Sequence, residues 1–268
     1  MRIWHQSGAP LAGMGPYAAA LDAHVRAVVS PGTEVVFHGL PPELYAGRPP
    51  AAVLKYAYAR HVILSAIVEN CIRAEREGFD AVAIASYNDP FIHEARSVVD
   101  IPVASMAESS LLTACALARR IALVTLTPEN VIRLRELVER HALTPRVAGV
   151  YSLEPRTNEA ELMQAFAAPE ALIANFAHAA RRAIDDGAEI VIPAEGVLNE
   201  VLFAHRCTRV QDVPVLDCVG NVFLHAEMLV NLRARTGLSA GRRWEHARPD
   251  PELFAALRRA NGLDRDGH

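Results

Sequence analysis

Short apolar runs of strand length alternate with segments of helical period along most of the chain. Arg2 to Gln6 reads as a strand running into a small-residue loop, Ser7 to Pro16. Tyr17 to Val29 has an alanine-rich helical pattern, and Thr33 to Leu40 alternates like a strand. Pro41 to Pro50 is a proline-rich loop, long enough to cover a site, and a long amphipathic helix is expected from Ala51 to Gly78. Ala81 to Ala85 is uniformly apolar, as expected of a central strand in a parallel sheet. Asp89-Pro90 has the pairing that opens a helix, aspartate as N-cap and proline at the first helical position. Strands are expected at Ile101–Ser105, Arg120–Leu126, Arg146–Tyr151, Glu189–Ile192 and Val213–Asp217. The intervening helices are Glu108–Arg119, Pro128–His141, Ala160–Asp186 with a break at Pro169, Gly196–His205 and Val219–Thr236. The tail, Gly237 to His268, is polar with one short helix at Pro251–Ala260.

This alternation predicts an α/β fold with parallel sheets flanked by helices. A repeat lies within it. GFDAVAIASYNDP, from Gly78, has the same layout as GAEIVIPAEGVLNE, from Gly187: Asp80 meets Glu189, the apolar runs coincide, and Ser86 falls opposite Glu195. DIPVASMAES, from Asp100, likewise echoes DVPVLDCVGN, from Asp212. Two copies of a unit of roughly 100 residues imply two pseudo-symmetric lobes with the active site in the cleft between them. The lobes are expected to comprise residues 1–104 with 213–268, and residues 105–212. Ligands of such sheets bind beyond the carboxyl ends of the strands. That places His5-Gln6-Ser7, Ser86 to Asp89, Thr125 to Thr127 and Ala194 to Gly196 at the cleft.

Composition narrows the class. The 268 residues are 51% hydrophobic and 22% charged, with net charge −4 and no basic stripe, so neither nucleic acid nor membrane is an expected partner. The N-terminus lacks the apolar core of a signal peptide, and no run approaches the ~18 apolar residues of a membrane span. The four cysteines, Cys71, Cys115, Cys207 and Cys218, are widely spaced, which fits a reducing cytoplasm better than a disulfide framework.

Several motifs together resemble the aspartate/glutamate/hydantoin racemase superfamily, and hydantoin racemases in particular. The family's first strand ends in an Asn-Pro-Asn-Thr-like loop, where this chain has Trp4-His5-Gln6-Ser7. Its GxDAxxxACFGDP-like and GAxxIxLGCAGM-like strands correspond to GFDAVAIASYNDP and GAEIVIPAEGVL, and its last strand to Val215-Leu216-Asp217-Cys218-Val219. The resemblance covers nearly the whole chain, to about Thr236. It implies the two-lobed fold, no required cofactor, a small-molecule substrate and a homo-oligomer. Such racemases use two cysteines, one from each lobe, on opposite faces of the substrate's α-carbon. The corresponding positions here are Ser86 and Glu195, so two-thiol proton transfer is absent.

The carboxylate in place of a thiol directs the expected chemistry. Glu195, at the end of an apolar strand, is a candidate general base with a pKa raised by burial, or else a cap on the following helix. Ser86 is a hydrogen-bond donor or a small polar strand end, and its hydroxyl is too weak an acid and base to transfer protons unaided. His5 is the third candidate catalytic residue, by its place at a strand end. Gln6, Ser7, Tyr87, Asn88, Asp89, Thr125, Thr127 and Gly196 are candidate substrate-binding residues, with the 87–89 amides at a helix N-terminus. Tyr45, Tyr56 and Tyr58 are candidates to shape the pocket. A divalent metal has candidate ligands in His5, Asp89, His93, Glu195 and Asp217. Cys218 reads as a buried small hydrophobe. The reaction expected on this reading is hydrolytic or lyase-type, on a small carboxylate or hydantoin-like cyclic amide. The alternatives are racemisation or isomerisation by a non-cysteine acid/base pair, and a non-catalytic binder of small anions.

Overall fold

Two all-parallel sheets frame the protein, whose computed structural model describes residues 1–12 and 14–263. Residue 13 of the expected first loop and residues 264–268 of the expected tail lie outside the described residues. The elements in chain order are β1 (Arg2–Ser7), α1 (Gly15–Val28), β2 (Glu34–His38), α2 (Pro50–Leu54), α3 (Ala57–Leu64), α4 (Ala66–Arg76), β3 (Ala81–Ala85), α5 (Ile92–Val98), β4 (Val103–Ser105) and α6 (Met106–Leu117). There follow β5 (Ile121–Thr125), α7 (Pro128–Arg140), β6 (Val147–Ser152), α8 (Glu159–Gln164), α9 (Glu170–Asp185), β7 (Ile190–Pro193), α10 (Gly196–Ala204), β8 (Arg209–Val210), β9 (Val213–Pro214), α11 (Cys218–Thr236) and α12 (Pro251–Ala260). No helix among the described residues is long and apolar enough to cross a membrane.

The first sheet has the order β2-β1-β3-β4 and the second β6-β5-β7, extended by a parallel bridge from Val191 to Val215. Both lobes therefore follow one plan, with the first strand inside and the third beside it. The carboxylates matched by the repeat do the same work. Asp80 Oδ2 accepts from the Arg2 amide at 2.7 Å, and Glu189 Oε2 accepts from the Arg119 amide at 2.7 Å. Each pins the start of its lobe's first strand.

Period-two alternation sorts the side chains into layers. Ala81 and Ala83 of β3 and Ile121 and Leu123 of β5 enter one shared core with Ile190 and Ile192 of β7. Val222, Phe223 and Ala226 of α11 and Leu111 and Ala114 of α6 complete it. The alternate residues face outward: Val82 and Ile84 pack with Trp4 and Ile67, while Ala122 and Val124 pack with Phe176 of α9. Burying a side chain such as Phe176 or Phe223 stabilises the fold by about 1.5–3 kcal/mol. Helices α6 and α11 thus lie between the sheets.

Three segments differ from the sequence expectation. The helix expected over 51–78 is broken into α2, α3 and α4. Tyr56 adopts an extended conformation between the first two, and Arg60 Nη1 binds the carbonyls of Leu54 and Lys55 at 2.9 and 3.0 Å. Periodicity registers the helical residues but not this tether. The run Val213–Asp217, expected in the first lobe, adds to the second sheet through Val215, whereas α11 packs on β3 and β4 of the first. Third, Asp89 does not cap the helix after Pro90, which starts at Ile92 behind Phe91 in a left-handed conformation.

Asp89 instead reaches across to α6. It is 3% exposed and accepts from Ser105 Oγ at 2.6 Å, the amides of Ala107 and Glu108 at 3.2 and 3.1 Å, and His141 Nε2 at 2.8 Å. One carboxylate ties the β3–α5 loop to the start of α6 and to the end of α7. Asp89→Ala leaves those buried donors without an acceptor and is expected to lower unfolding free energy by about 2–4 kcal/mol, measured by urea titration. Asp89→Asn, which keeps an acceptor oxygen, is expected to lose less.

Candidate active site

The carboxyl ends of β1, β3, β5 and β7 bring a subset of the expected residues together. Ser7 pairs in register with Ala85, so Ser86 emerges beside the β1 exit. Ser86 Oγ lies 3.4 Å from where a Gly8 Cβ would stand. In the second sheet, Val124 pairs with Pro193, which sets Thr125 beside the β7 exit and Glu195. Gly196 is where the lobes meet. A Cβ on it would be 3.6 Å from both Tyr17 Oη and Met106 Cε.

Glu195 is the N-cap of α10 and accepts from the Leu198 amide at 2.6 Å. Burial raises its pKa, and the α10 amides only partly offset that. The structure shows Glu195 as a helix cap, and burial biases its carboxyl toward the neutral form. Beside it, burial and the carboxylates of Glu200 and Glu195 push the Tyr17 phenol far up, so Tyr17 is a fixed donor. Thr125 is 1% exposed, and its hydroxyl has no hydrogen-bond partner among the described residues.

Other expected site residues serve the frame. His5 lies within β1, paired to Phe37 and Ala83, with its side chain on the shared-core face. It is 0% exposed, packs against Phe37 and Phe223, and neither ring nitrogen has a partner among the described residues. Burial, and then His38, lower its pKa to about 3. His5 is therefore a neutral core residue and not a base at the cleft. Strand alternation sends it inward two residues before the strand ends. Gln6 is also committed, accepting from Trp4 Nε1 at 3.0 Å and donating to Ser7 O at 2.9 Å. Ser7 Oγ accepts from the Ala9 amide, and Tyr87 is buried with its hydroxyl 3.0 Å from Ser110 Oγ. Thr127 caps α7. Tyr45 is buried and donates to Gly8 O at 2.5 Å, whereas Tyr56 and Tyr58 are exposed. Asn88 is exposed at the cleft rim.

The five candidate metal ligands do not converge. His5 is in the core, Asp89 is saturated at α6, His93 pairs with His246 at 3.0 Å, Glu195 caps α10 and Asp217 caps α11. Among the described residues no group of three or more His, Cys, Asp or Glu side chains is arranged to hold a metal ion. Sequence spacing placed these residues near strand ends but could not register the partners that occupy them.

The strongest polar cluster near the site went unnoticed in the sequence. His24 of α1 sits between Glu200 Oε1 and Asp217 Oδ2, 2.8 Å from each, and Asn199 donates to Asp217 at 2.8 Å. Asn199 Oδ1 accepts from the Cys218 amide at 2.9 Å. Burial lowers the His24 pKa, but bonds to Asp217 and Glu200 outweigh it and raise the pKa to about 9. A Cβ at Gly220 would fall on Asp217 and crowd His24, so glycine is required there. The signal was a polar, charged Asn199-Glu200 pair inside an otherwise apolar helix. Cys218 fits the expectation of a buried small residue. Its thiol donates to Pro193 O at 3.1 Å, and burial pushes its pKa well up.

Comparison with known proteins places this geometry. Residues 16–226 match the Asp/Glu/hydantoin racemase family. A hydantoin racemase of Pseudomonas sp. (strain NS671) is 32% identical over 188 residues, 70% of this chain and 72% of the relative. A hydantoin racemase of Paenarthrobacter aurescens is 28% identical over 187 residues, 69% of this chain and 76% of the relative. Among solved structures, an allantoin racemase from Klebsiella pneumoniae superposes with a TM-score of 0.76 at 23% identity, covering 93% of this chain and 94% of that one. These matches overturn the expected hydrolytic or lyase-type reaction, which rested on the carboxylate at Glu195 alone. A carboxylate at a strand end does not by itself set the reaction class.

His5 and His24 predict opposite responses of stability to pH. His5 has a folded pKa near 3 against an ordinary 6.5, so below pH 6.5 the unfolded chain takes up a proton that the folded one refuses. His5→Phe is expected to gain on wild type as pH falls from 6.5. His24 has a folded pKa of about 9, so its contribution is full below 6.5 and is lost as pH rises toward 9. The deficit of His24→Gln is expected to be largest below pH 6.5 and to shrink toward pH 9, both followed by urea unfolding across the pH range.

Proposed function

The chain belongs to the Asp/Glu/hydantoin racemase family, and from that premise we propose that it racemises a hydantoin-like or amino-acid-like substrate with a non-cysteine acid/base pair. The observation that supports this reading most is Glu195. It is a carboxylate at a strand end in the interlobe cleft, with burial raising its pKa toward the range in which a general base works best at neutral pH. In the proposed mechanism Glu195 removes the proton from the carbon next to the ring carbonyl. The electron pair moves onto that carbonyl, giving an enolate. The Tyr17 and Thr125 hydroxyls are the donors proposed to stabilise the enolate oxygen. The return proton comes to the opposite face from solvent, with Ser86 positioning the transfer and not supplying an acid of its own. Gly196, where a Cβ would come 3.6 Å from Tyr17 Oη and Met106 Cε, is proposed to lie against the ring.

No cofactor enters this scheme, since Glu195 takes the proton and solvent returns one. We place the protein in the cytoplasm, in keeping with its four free cysteines. Assembly as a symmetric homo-oligomer belongs to the same proposal. Its support is a set of exposed apolar residues, Leu112 and Leu117 of α6 with Leu224 and Met228 of α11, on two helices that pack together.

The test uses an enantiopure 5-alkylhydantoin in D2O, with optical rotation and the C5 proton signal followed together. Wild type is expected to lose rotation as deuterium enters C5, above the uncatalysed blank. Glu195→Gln is expected to slow both by about 10²- to 10⁴-fold, the usual share of a general base. The base is active when ionised, so the rate should fall on the acid side through an apparent pKa above 4.5. Unchanged turnover in Glu195→Gln would exclude this mechanism.

A further inference from the structure

A second cavity feature adjoins the cleft on the Ser86 side. A hollow of about 450 Å³ is lined by Arg60, His61 and Leu64 of α3, Asn88 to Phe91 of the β3–α5 connection with the first turn of α5, and Arg140 and His141 at the end of α7. Leu64 and Ser86 flank the same point, each within 3.5 Å of where a Gly8 Cβ would stand. The hollow therefore continues from the place where the proposed substrate ring meets Ser86, and α3 and α7 bring cationic groups to it from both lobes.

The charge balance is one-sided. Among the described residues, Arg140 hydrogen-bonds only to the Asn88 carbonyl, at 3.5 Å. Arg60 uses Nη1 on the Leu54 and Lys55 carbonyls. Arg133, two turns before Arg140 on α7, feels Arg60 as a like charge that adds to burial in lowering its pKa, while Glu129 and Glu136 act the other way. Among the described residues, the ion pairs leave the two arginines that line the hollow, Arg60 and Arg140, without a carboxylate. His61, His93 and His141 complete the lining beside them. Against them stand exposed Glu94 and Asp89, whose oxygens are already occupied by Ser105, the α6 amides and His141. Like charges held together at a concave surface are a standing cost that an anion relieves, and guanidinium matches a carboxylate in shape and donor geometry.

We propose that this hollow receives an anionic side chain of the substrate, so that the preferred substrate is a cyclic amide bearing a carboxylate arm. The inference rests on the racemase reading for the ring and on the hollow for the arm. Arg140 and Arg60 bind the carboxylate, and neither takes part in proton transfer.

The test compares 5-(2-carboxyethyl)hydantoin with its neutral isostere 5-(2-carbamoylethyl)hydantoin. Wild type is expected to favour the acid in kcat/KM. Arg140→Gln is expected to cut the acid-to-amide ratio by about tenfold, the size of one lost charge-assisted hydrogen bond. Arg60→Gln should do the same where it folds, and Arg140, exposed on α7, keeps the test open where it does not. An equal or amide-favouring ratio in wild type, or a ratio unmoved by Arg140→Gln, overturns the proposal. If neither compound is racemised, calorimetric binding of the same pair separates the two ideas. Tighter binding of the acid that is lost in Arg140→Gln upholds the hollow while the reaction reading falls. Equal or absent binding of both removes the hollow as well.

Discussion

The apolar layer between the two sheets is the constraint on which the site depends. Each sheet has to bury one face, and both bury it against α6 and α11. That shared burial turns two similar strand-loop units toward each other. It sets the exits of β3 and β7, and hence Ser86 and Glu195, at equivalent places in the two lobes. The same layer explains why α11 follows a strand of the second sheet yet packs on the first. The lobes hold one another's helices, so the cleft is fixed by core packing and not by a flexible link.

Within that frame, one chemical device recurs with different outcomes. Asp89, Glu195 and Asp217 are all carboxylates at the start of helices. Asp89 meets four groups, and Asp217 meets Gly220 N, Asn199 Nδ2 and His24. Burial acts against ionised Asp217, yet its partners hold the pKa below the ordinary value. Glu195 has the α10 amides alone, and there burial prevails. The number of donors around a buried carboxylate separates a structural cap from a group able to exchange a proton. Glu200 shows the other half of the rule. Burial raises its pKa despite His24, and the pair settles beneath α10 as a buried polar support.

In the proposed mechanism a carboxylate base changes what the opposite face of the substrate has to do. A thiol pair divides the two proton steps between two similar groups. In that proposal the two faces are unlike, a carboxylate on one and a hydroxyl on the other, with Tyr17 as a neutral donor beside the carboxylate. The cationic hollow beyond Ser86 gives the two faces different surroundings as well.

The sequence by itself determined the α/β alternation, the two-lobed repeat and the family, because apolar period and repeated motifs are local properties that survive folding unchanged. It also located Ser86 and Glu195 at equivalent strand ends, since register follows directly from the matched runs. It failed where the outcome depended on distant partners. His5 looked available at a strand end, but strand alternation turned it into the shared core against Phe37 and Phe223. Asp89 looked like the cap of its own next helix and was drawn to α6, sixteen residues on at Ser105. His24, Glu200 and Asp217 lie too far apart in the chain for any spacing rule to join them. Tertiary structure alone decided which polar groups are saturated and which remain open to a substrate, because that is set by the donors that packing delivers to each one.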